Sequence, residues 1–461
     1  MFGNIYNTFL NCFKIPELKS RIFFTLALLA VARLLAYVTI PGLNGHDLGA
    51  WMNSHSQGAA SILGMYNRFA GGAYGNGAIG ALGIMPYISA TIILQLMTAV
   101  FPKLSKLARE EGGRAKIVQY GRYLTVLLCI GQGLYFANSY ETGKVFQGFT
   151  GQVVLIQNRF LYYFIAVTVM TTGTMILMWL GEQITERGIG NGVSLVITIG
   201  IVAGLPYAGY DLKDMFWPSG GIEPQFHLAG TGILLLILLA GVIGGVIAIT
   251  QAQRKIPVQY AQRAVGRKMY QGGTSFMPLR VNYSGVMPII FASSILMFPG
   301  PLCNWMATNG PRVLQDPFLW LGNQLNGGSV VYLSIYALMI LFFSYFWVAT
   351  QFNEIQIADD LKKNGGYIPG VRPGQATSDY LHKAMSRITL AGAVFLTVIA
   401  VIPIILYRNL GISNNVSQFF GGTSILIAVG VLLDTMRQVE SHLMMRHYDG
   451  FLKKGRVRGR F

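Results

Sequence analysis

The stretch LLLILLAGVIGGVIAI, Leu234 to Ile249, runs sixteen residues without a charged or polar side chain. A strand of a membrane barrel alternates lipid-facing and lumen-facing residues with period two, and this run shows no such alternation. Lipid offers the backbone no hydrogen-bond partners, so only helices and closed barrels cross it. The run therefore reads as a helix immersed in hydrocarbon. Crossing a core of roughly 30 Å takes about 20 helical residues. Ten segments meet that length, near 22–41, 77–101, 117–137, 160–180, 189–208, 228–250, 286–306, 329–349, 388–407 and 419–436. The composition agrees. Hydrophobic residues make up 52% of the 461 and charged residues only 11%, against about 25% in soluble domains. That excludes ordinary soluble classes, and disorder as well, whose mark is low hydrophobicity. The fold class is an all-α polytopic membrane protein.

The net charge of +17 first suggests nucleic acid, but its placement tells more. Basic residues concentrate in loops on the cytoplasmic side. One side takes the N-terminus, the loops near 102–122, 181–188, 251–285 and 350–387, and the tail from 434; it holds 28 of the 35 Lys and Arg. The other side holds six, and Arg33 lies within the first span. Both termini are therefore expected in the cytoplasm. Lys14, Lys19 and Arg21 before the first span mimic a signal peptide. That apolar segment is longer than a cleaved signal and runs into Pro41-Gly42 without a small-residue cleavage site, so it reads as a retained helix.

Ten spans divide five and five at the polar outer loop 209–227. An odd number of spans per half means that a repeated half inserts upside down, as inverted-repeat transport proteins do. The expected organisation is an N-terminal half over 1–208, the outer loop, a C-terminal half over 228–440 and a basic tail over 441–461.

Several features depart from a plain bundle. Residues 59–70, AASILGMYNRFA, are apolar-faced but too short to span, and GGAYGNGAIGALG follows with six glycines in thirteen residues. This fits a re-entrant element on a glycine hinge, and equally a helix lying on the outer leaflet. Pro86 and Pro288 fall inside spans two and seven, where proline kinks a helix. Ser89, Gln95, Gln132, Ser293 and Ser294 are polar residues able to bond between helices. No carboxylate lies at mid-membrane, which weakens an ion-coupled transporter. Nucleotide, protease and hydrolase motifs are missing. Cys12, Cys129 and Cys303 stand too far apart for a metal site or a disulfide framework, and no cofactor is expected.

The loops 251–285 and 350–387 are too long for connectors. The first carries six basic residues and no acid, which suits a polyanion such as ribosomal RNA or an acidic protein face. Positive-inside topology with anionic-lipid contact explains the sign of the charge but not the length.

The blocks LGIMPYISATIILQLM (82–97), REEGGRAK (109–116), WLGEQITERGIGNGVSL (179–195), QAQRKIPVQYAQR (251–263), RVNYSGVMPIIFASSI (280–295), DDLKKNGGYIPGVRPG (359–374) and GGTSILIAVGVLLDT (421–435) resemble the bacterial SecY family. The resemblance runs in order along almost the whole chain. It implies two inverted five-helix halves around an hourglass pore, opening sideways to lipid between spans 2/3 and 7/8. The short outer helix would be a plug formed by Ala60, Ser61, Ile62, Leu63, Gly64, Met65, Tyr66, Asn67, Arg68, Phe69, Ala70, Gly71 and Gly72. The pore ring would fall on Ile84, Ile88, Ile197, Ile290 and Ile427. A collar of branched aliphatic side chains dewets and blocks ions, yet parts around a passing chain. On the sequence alone each of these isoleucines reads as a packing or lipid-facing residue; only the resemblance selects them. Ser89, Gln95, Gln132, Ser294 and Phe298 would border the lateral gate.

The resemblance also supplies partners. SecE and SecG would be small membrane subunits, and the SecA motor ATPase or the ribosome would dock through Arg254, Lys255, Arg263, Arg267, Lys268 and Arg372. The expected function is a passive, gated channel for unfolded secretory polypeptides and signal sequences, not an enzyme. A secondary transporter of a small solute shares the span count but calls for a buried charged site, which the sequence lacks. A membrane receptor or scaffold whose basic loops recruit soluble partners, without a pore, is the third class.

Overall fold

A computed structural model describes residues 15–54, 67, 70–110, 112–142, 152–217, 230, 232–260, 263–265, 268–270, 273–296, 299–325, 329–410, 416 and 423–454. Each of the ten expected spans contains a helix. Among the described residues, Arg159–Arg187, Ile233–Gln251, Val330–Lys363 and Gln375–Ile402 are long and apolar enough to cross a membrane unaided. A fifth candidate, Met85–Val100 with Pro102–Ala108, is bent by 106°. Phe101 at the bend is extended (φ −95°, ψ 115°), as a residue before proline is disposed to be.

The chain groups into two compact units, residues 1–211 with 427–461, and 212–426. In the first unit the helices are α1 (Pro16–Leu34), α2 (Gly45–Ser54), α3 (Met85–Val100), α4 (Pro102–Arg109), α5 (Gly113–Thr142), α6 (Arg159–Arg187) and α7 (Gly192–Val202). Helix α8 (Leu205–Phe216) leads out of this unit. Helix α6 packs against α1, α3, α5 and α7, and α5 packs against α3. Helix starts are written locally. The side chain of Asn158 accepts from Leu161 N and that of Asn191 from Ser194 N, each satisfying one of the free donors of a first turn. The α6–α7 approach requires glycine: a Cβ on Gly192 would sit 2.0 Å from the Gly181 carbonyl oxygen.

The second unit holds α9 (Ile233–Gln251), β1 (Gln253–Tyr260), β2 (Arg263–Val265), β3 (Lys268–Tyr270), β4 (Thr274–Arg280), α10 (Met287–Leu296), α11 (Pro299–Asn309), α12 (Arg312–Gln324), α13 (Val330–Gln351), α14 (Glu354–Lys363), β5 (Gly366–Tyr367) and α15 (Gln375–Leu410). Helix α13 packs on α10 and α15. A final helix, α16 (Thr423–Lys454), returns to the first unit from Ile427.

Two expectations are corrected. Helix α3 begins at Met85 rather than 77, and α1 ends at Leu34 rather than 41. Pro86 and Pro288 lie in the first turns of α3 and α10 and start these helices instead of kinking them. Proline has no N–H to leave unpaired there, and its fixed φ suits the first turn. The fold is mostly helical, as expected, and carries a small sheet besides. Strands β4, β1 and β5 form an antiparallel sheet in that order, with Arg254 opposite Leu279 and Gln259 opposite Tyr367. Ile256 and Leu279 are buried beside Phe352, Leu381 and Met385. That apolar cluster gives the sheet the covered face an isolated hairpin lacks.

Candidate functional site

The glycine-rich run from Gly71 to Gly83 is fixed over most of its length. Ala73, Tyr74, Ala78, Ala81 and Leu82 are 0% exposed. Ile40 N donates to Gly77 O at 2.8 Å, Ile79 N to Val38 O at 2.8 Å and Gly80 N to Leu35 O at 3.0 Å, so the run pairs with the chain leaving α1. Side chains add pins. Tyr140 Oη donates to Tyr74 O at 2.6 Å, Thr174 Oγ1 to Gly83 O at 3.0 Å and Asn76 Nδ2 to Ala36 O at 3.2 Å. The Tyr140 and Tyr74 rings stack at 5.2 Å. The expectation of a hinge spread over this glycine run is therefore wrong. Without Cβ atoms the segment packs close to its neighbours, and close packing holds it.

Of the expected plug, residues 60–66, 68 and 69 lie outside the described residues; Asn67, Ala70, Gly71 and Gly72 are described. Asn67 Oδ1 accepts from Gly75 N at 2.8 Å, and Asn67 O from Gly72 N at 2.7 Å. Arg33 Nη1 donates to Gly71 O, and the Arg33 guanidinium lies 5.2 Å from the Tyr37 ring centroid.

The five isoleucines are all buried. Ile84, the cap residue of α3, is 2% exposed, Ile88 one turn on 5%, Ile197 in α7 2%, Ile427 in α16 0%, and Ile290 in the first turn of α10 1%. The i, i+4 spacing places Ile84 and Ile88 on one face of α3. A small cavity brings Ile84 beside Val196, Ile199, Gly200 and Arg33. Ile290 belongs to the second unit.

Of the residues expected at the lateral gate, Phe298 lies outside the described residues. Ser89 is buried and Gln95 half-buried. Among the described residues, Ser89 Oγ and both amide atoms of Gln132 are buried without a hydrogen-bond partner. Ser293 and Ser294 do not bridge helices: both hydroxyls donate to Ile290 O of their own helix, at 3.0 and 2.6 Å. A hydroxyl in an apolar medium finds the carbonyl one turn back more readily than a neighbour's.

The sheet joins what the sequence kept apart. Strand β1 comes from the loop 251–285 and β5 from the loop 350–387, and they pair. Arg254 and Lys255 are exposed on β1, and Arg372 is exposed five residues past β5. Thr377 Oγ1 donates to Arg372 O at 2.9 Å, pinning that tip. Arg263 and Lys268 belong to the β2–β3 ribbon; Arg267 lies outside the described residues. Sequence reasoning missed the sheet, although the alternation of Ile256 and Val258 between exposed neighbours was a readable strand pattern.

The fold is similar to that of a solved protein-conducting channel. That channel is 17% identical, with a TM-score of 0.57 over 91% of each chain. A SecY protein whose plug domain stabilises the closed state of the translocation channel and maintains a membrane seal is likewise 17% identical, with a TM-score of 0.56 and 91% of each chain covered. The family model for SecY matches residues 78–436. The protein translocase subunit SecY of Chlamydia muridarum is 42% identical over 97% of this chain and 98% of its own. Those of Vibrio cholerae (43%, 96% of each chain) and Thermotoga maritima (40%, 99% of this chain and 100% of the relative) are similarly alike. The chain belongs to the SecY family, a family of membrane translocase subunits.

Proposed function

We propose that the protein is the channel subunit of a Sec-type translocon, passing unfolded secretory polypeptides across the membrane and releasing hydrophobic segments sideways into lipid. The observation that carries this reading is the identity of 40–43% with translocase subunits over nearly the full length of both chains. The chain itself catalyses no reaction; a docked SecA motor, a translating ribosome or the membrane potential supplies the work. The membrane is the bacterial inner membrane, and both termini face the cytoplasm, where positive-inside asymmetry puts the basic loops. SecE and SecG are the membrane partners, and anionic lipids contact the basic inner surface.

Ile84, Ile88, Ile197, Ile290 and Ile427 form the constriction. Their match to the pore-ring positions within, or for Ile197 just past, the blocks that resemble the family supports this. Residues 60–72 form the plug beneath it. Ser89, Gln95, Gln132, Ser294 and Phe298 border the lateral gate. Arg254, Lys255, Arg263, Arg267, Lys268 and Arg372 form the docking surface, and the shared β1–β5 pairing makes the two loops one platform. The functional halves are 1–208 and 228–440, linked by the outer loop 209–227 and followed by the basic tail 441–461.

The test is crosslinking. A photoreactive residue at position 84 or 290 is expected to capture a secretory chain stalled in transit, while one at lipid-facing Leu236, 63% exposed, captures none in a stretch lacking a signal sequence. A stalled chain that labels neither 84 nor 290 refutes the assignment of the constriction.

A further inference from the structure

A junction in the first unit belongs neither to the constriction nor to the docking surface. The turn between α6 and α7, residues 188–191, meets α1 and α16 there. Ile189 N donates to Thr25 Oγ1 of α1 at 3.1 Å, and Gly190 N donates to Gln438 Oε1 of α16 at 2.8 Å. Gly192 N closes the turn on Thr185 Oγ1 at 2.9 Å. Backbone donors at such a site need acceptors, and two of the three come from 164 and 248 residues away. Glycine admits these side chains. A Cβ on Gly188 would sit 2.4 Å from Thr25 Oγ1, and one on Gly190, whose φ is +88°, 2.9 Å from Thr435 Oγ1. Leu18 and Ile189 are buried beside the polar contacts, with Ile22 of α1 and Val439 and Leu443 of α16 packed against them.

Helix α16 follows the second unit in the chain, yet groups with the first from Ile427 onward. The junction supplies the contact. Ile427, Val431, Thr435 and Gln438 recur at i, i+4, i+8 and i+11, which is one face of a helix. Ile427 is 0% and Val431 4% exposed, and Thr435 lies against Gly190. At 1.5 Å per residue, Gln438 and Ile427 stand about 16 Å apart along the axis. The face that holds Ile427 is therefore fastened about three turns away, by one amide and a small apolar cluster.

We infer that Gln438 is a positioning residue of the constriction: its side-chain oxygen fastens α16 to the α6–α7 turn, and α16 swings about that fixed point to withdraw Ile427 when the channel opens. The inference rests on the reading of Ile427 as part of the constriction. A swing of about 15° about a point about 16 Å away carries Ile427 about 4 Å. That roughly doubles the gap between side chains that touch at about 4 Å. A point fastening suits a swing. One hydrogen bond to a main-chain N–H at a positive-φ glycine holds a position without gripping the helix along its length, as interdigitated ridges would.

The experiment uses the complex with its small membrane partners in proteoliposomes. A secretory chain is stalled in transit, and its crosslinking to a photoreactive residue at position 427 is compared with that at position 84. Gln438→Leu removes the acceptor and is expected to lower the 427-to-84 ratio about two- to tenfold, the range for one lost hydrogen bond. Gln438→Glu, which keeps an acceptor oxygen at the same reach, restores the ratio. Gln438→Asn, one methylene too short, carries the test if Gln438→Leu does not assemble. In a second arm, Ile189→Cys and Val439→Cys are joined by a short cleavable thiol-reactive bridge. Export is expected to continue at the unbridged rate, because the fastened point does not move. An unchanged ratio refutes the positioning role, whether both yields hold or both fall together; in the second case Gln438 supports the bundle as a whole. Export that stops on bridging and resumes on cleavage refutes the fixed point. A position 427 that captures no chain in the unmodified channel overturns the placement of Ile427 in the constriction, and the inference with it.

Discussion

Unpinning the glycine run is the perturbation whose size follows most directly from the structure. Tyr140 is 0% exposed, and its hydroxyl donates to the Tyr74 carbonyl at 2.6 Å. Tyr140→Phe keeps the ring stacked on Tyr74 at 5.2 Å and removes only the oxygen. Gly77 N still donates to the Tyr74 carbonyl at 3.1 Å, so one of two hydrogen bonds is lost, at about 0.5–1.5 kcal/mol. Thr174→Val removes the donor of the Gly83 carbonyl, which accepts from Thr174 Oγ1 at 3.0 Å, with little change of shape; a buried carbonyl stripped of its donor costs about 1–3 kcal/mol. Both carbonyls lie on one segment, so the two losses should couple rather than add. Local opening reads out in hydrogen exchange: the amides of Ile79 and Gly80, bonded to Val38 and Leu35, should exchange about two- to tenfold faster in Tyr140→Phe and about five- to 150-fold faster in Thr174→Val. The purified complex in detergent should also melt at a lower temperature. If both single variants leave these amides exchanging as before, the glycine run is held by packing alone and the hydrogen-bond argument fails.

The remaining predictions address packing, docking and the seal. Gly192→Ala places a Cβ 2.0 Å from the Gly181 carbonyl oxygen and should destabilise the α6–α7 pair by about 1–3 kcal/mol; an unchanged melting temperature would show that these helices separate freely. Arg372→Glu should impair motor-driven export while leaving the protein inserted and folded, because the side chain is exposed; normal export removes Arg372 from the docking surface. Deleting residues 60–72 should raise resting ion leakage in planar bilayers, and an unaltered conductance removes them from the seal.

Much of the fold was legible because lipid is a demanding solvent. Length and hydropathy are local quantities, so helices could be located from runs such as Leu234–Ile249. The prolines were legible as features but not in their effect. Proline either starts or kinks a helix depending on where the hydrogen bonds begin, and at Pro86 that was set by residues before Met85 folding into glycine turns. The sheet was hidden for a different reason. Strand β5 has two residues, too short for any periodic pattern, and gains its structure from pairing with a strand about a hundred residues earlier.

The sequence by itself determined that the chain lives in a membrane, where its helices lie and which family it joins. Each of these rests on composition, on local runs or on blocks of matching residues. Only the tertiary structure decided that the glycine run is pinned by Tyr140 and Thr174, that two basic loops share one sheet, and that Arg33 reaches the Gly71 carbonyl 38 residues away. Such contacts join residues far apart in the chain through single hydrogen bonds, and no local pattern of residues encodes which carbonyl a distant side chain will find.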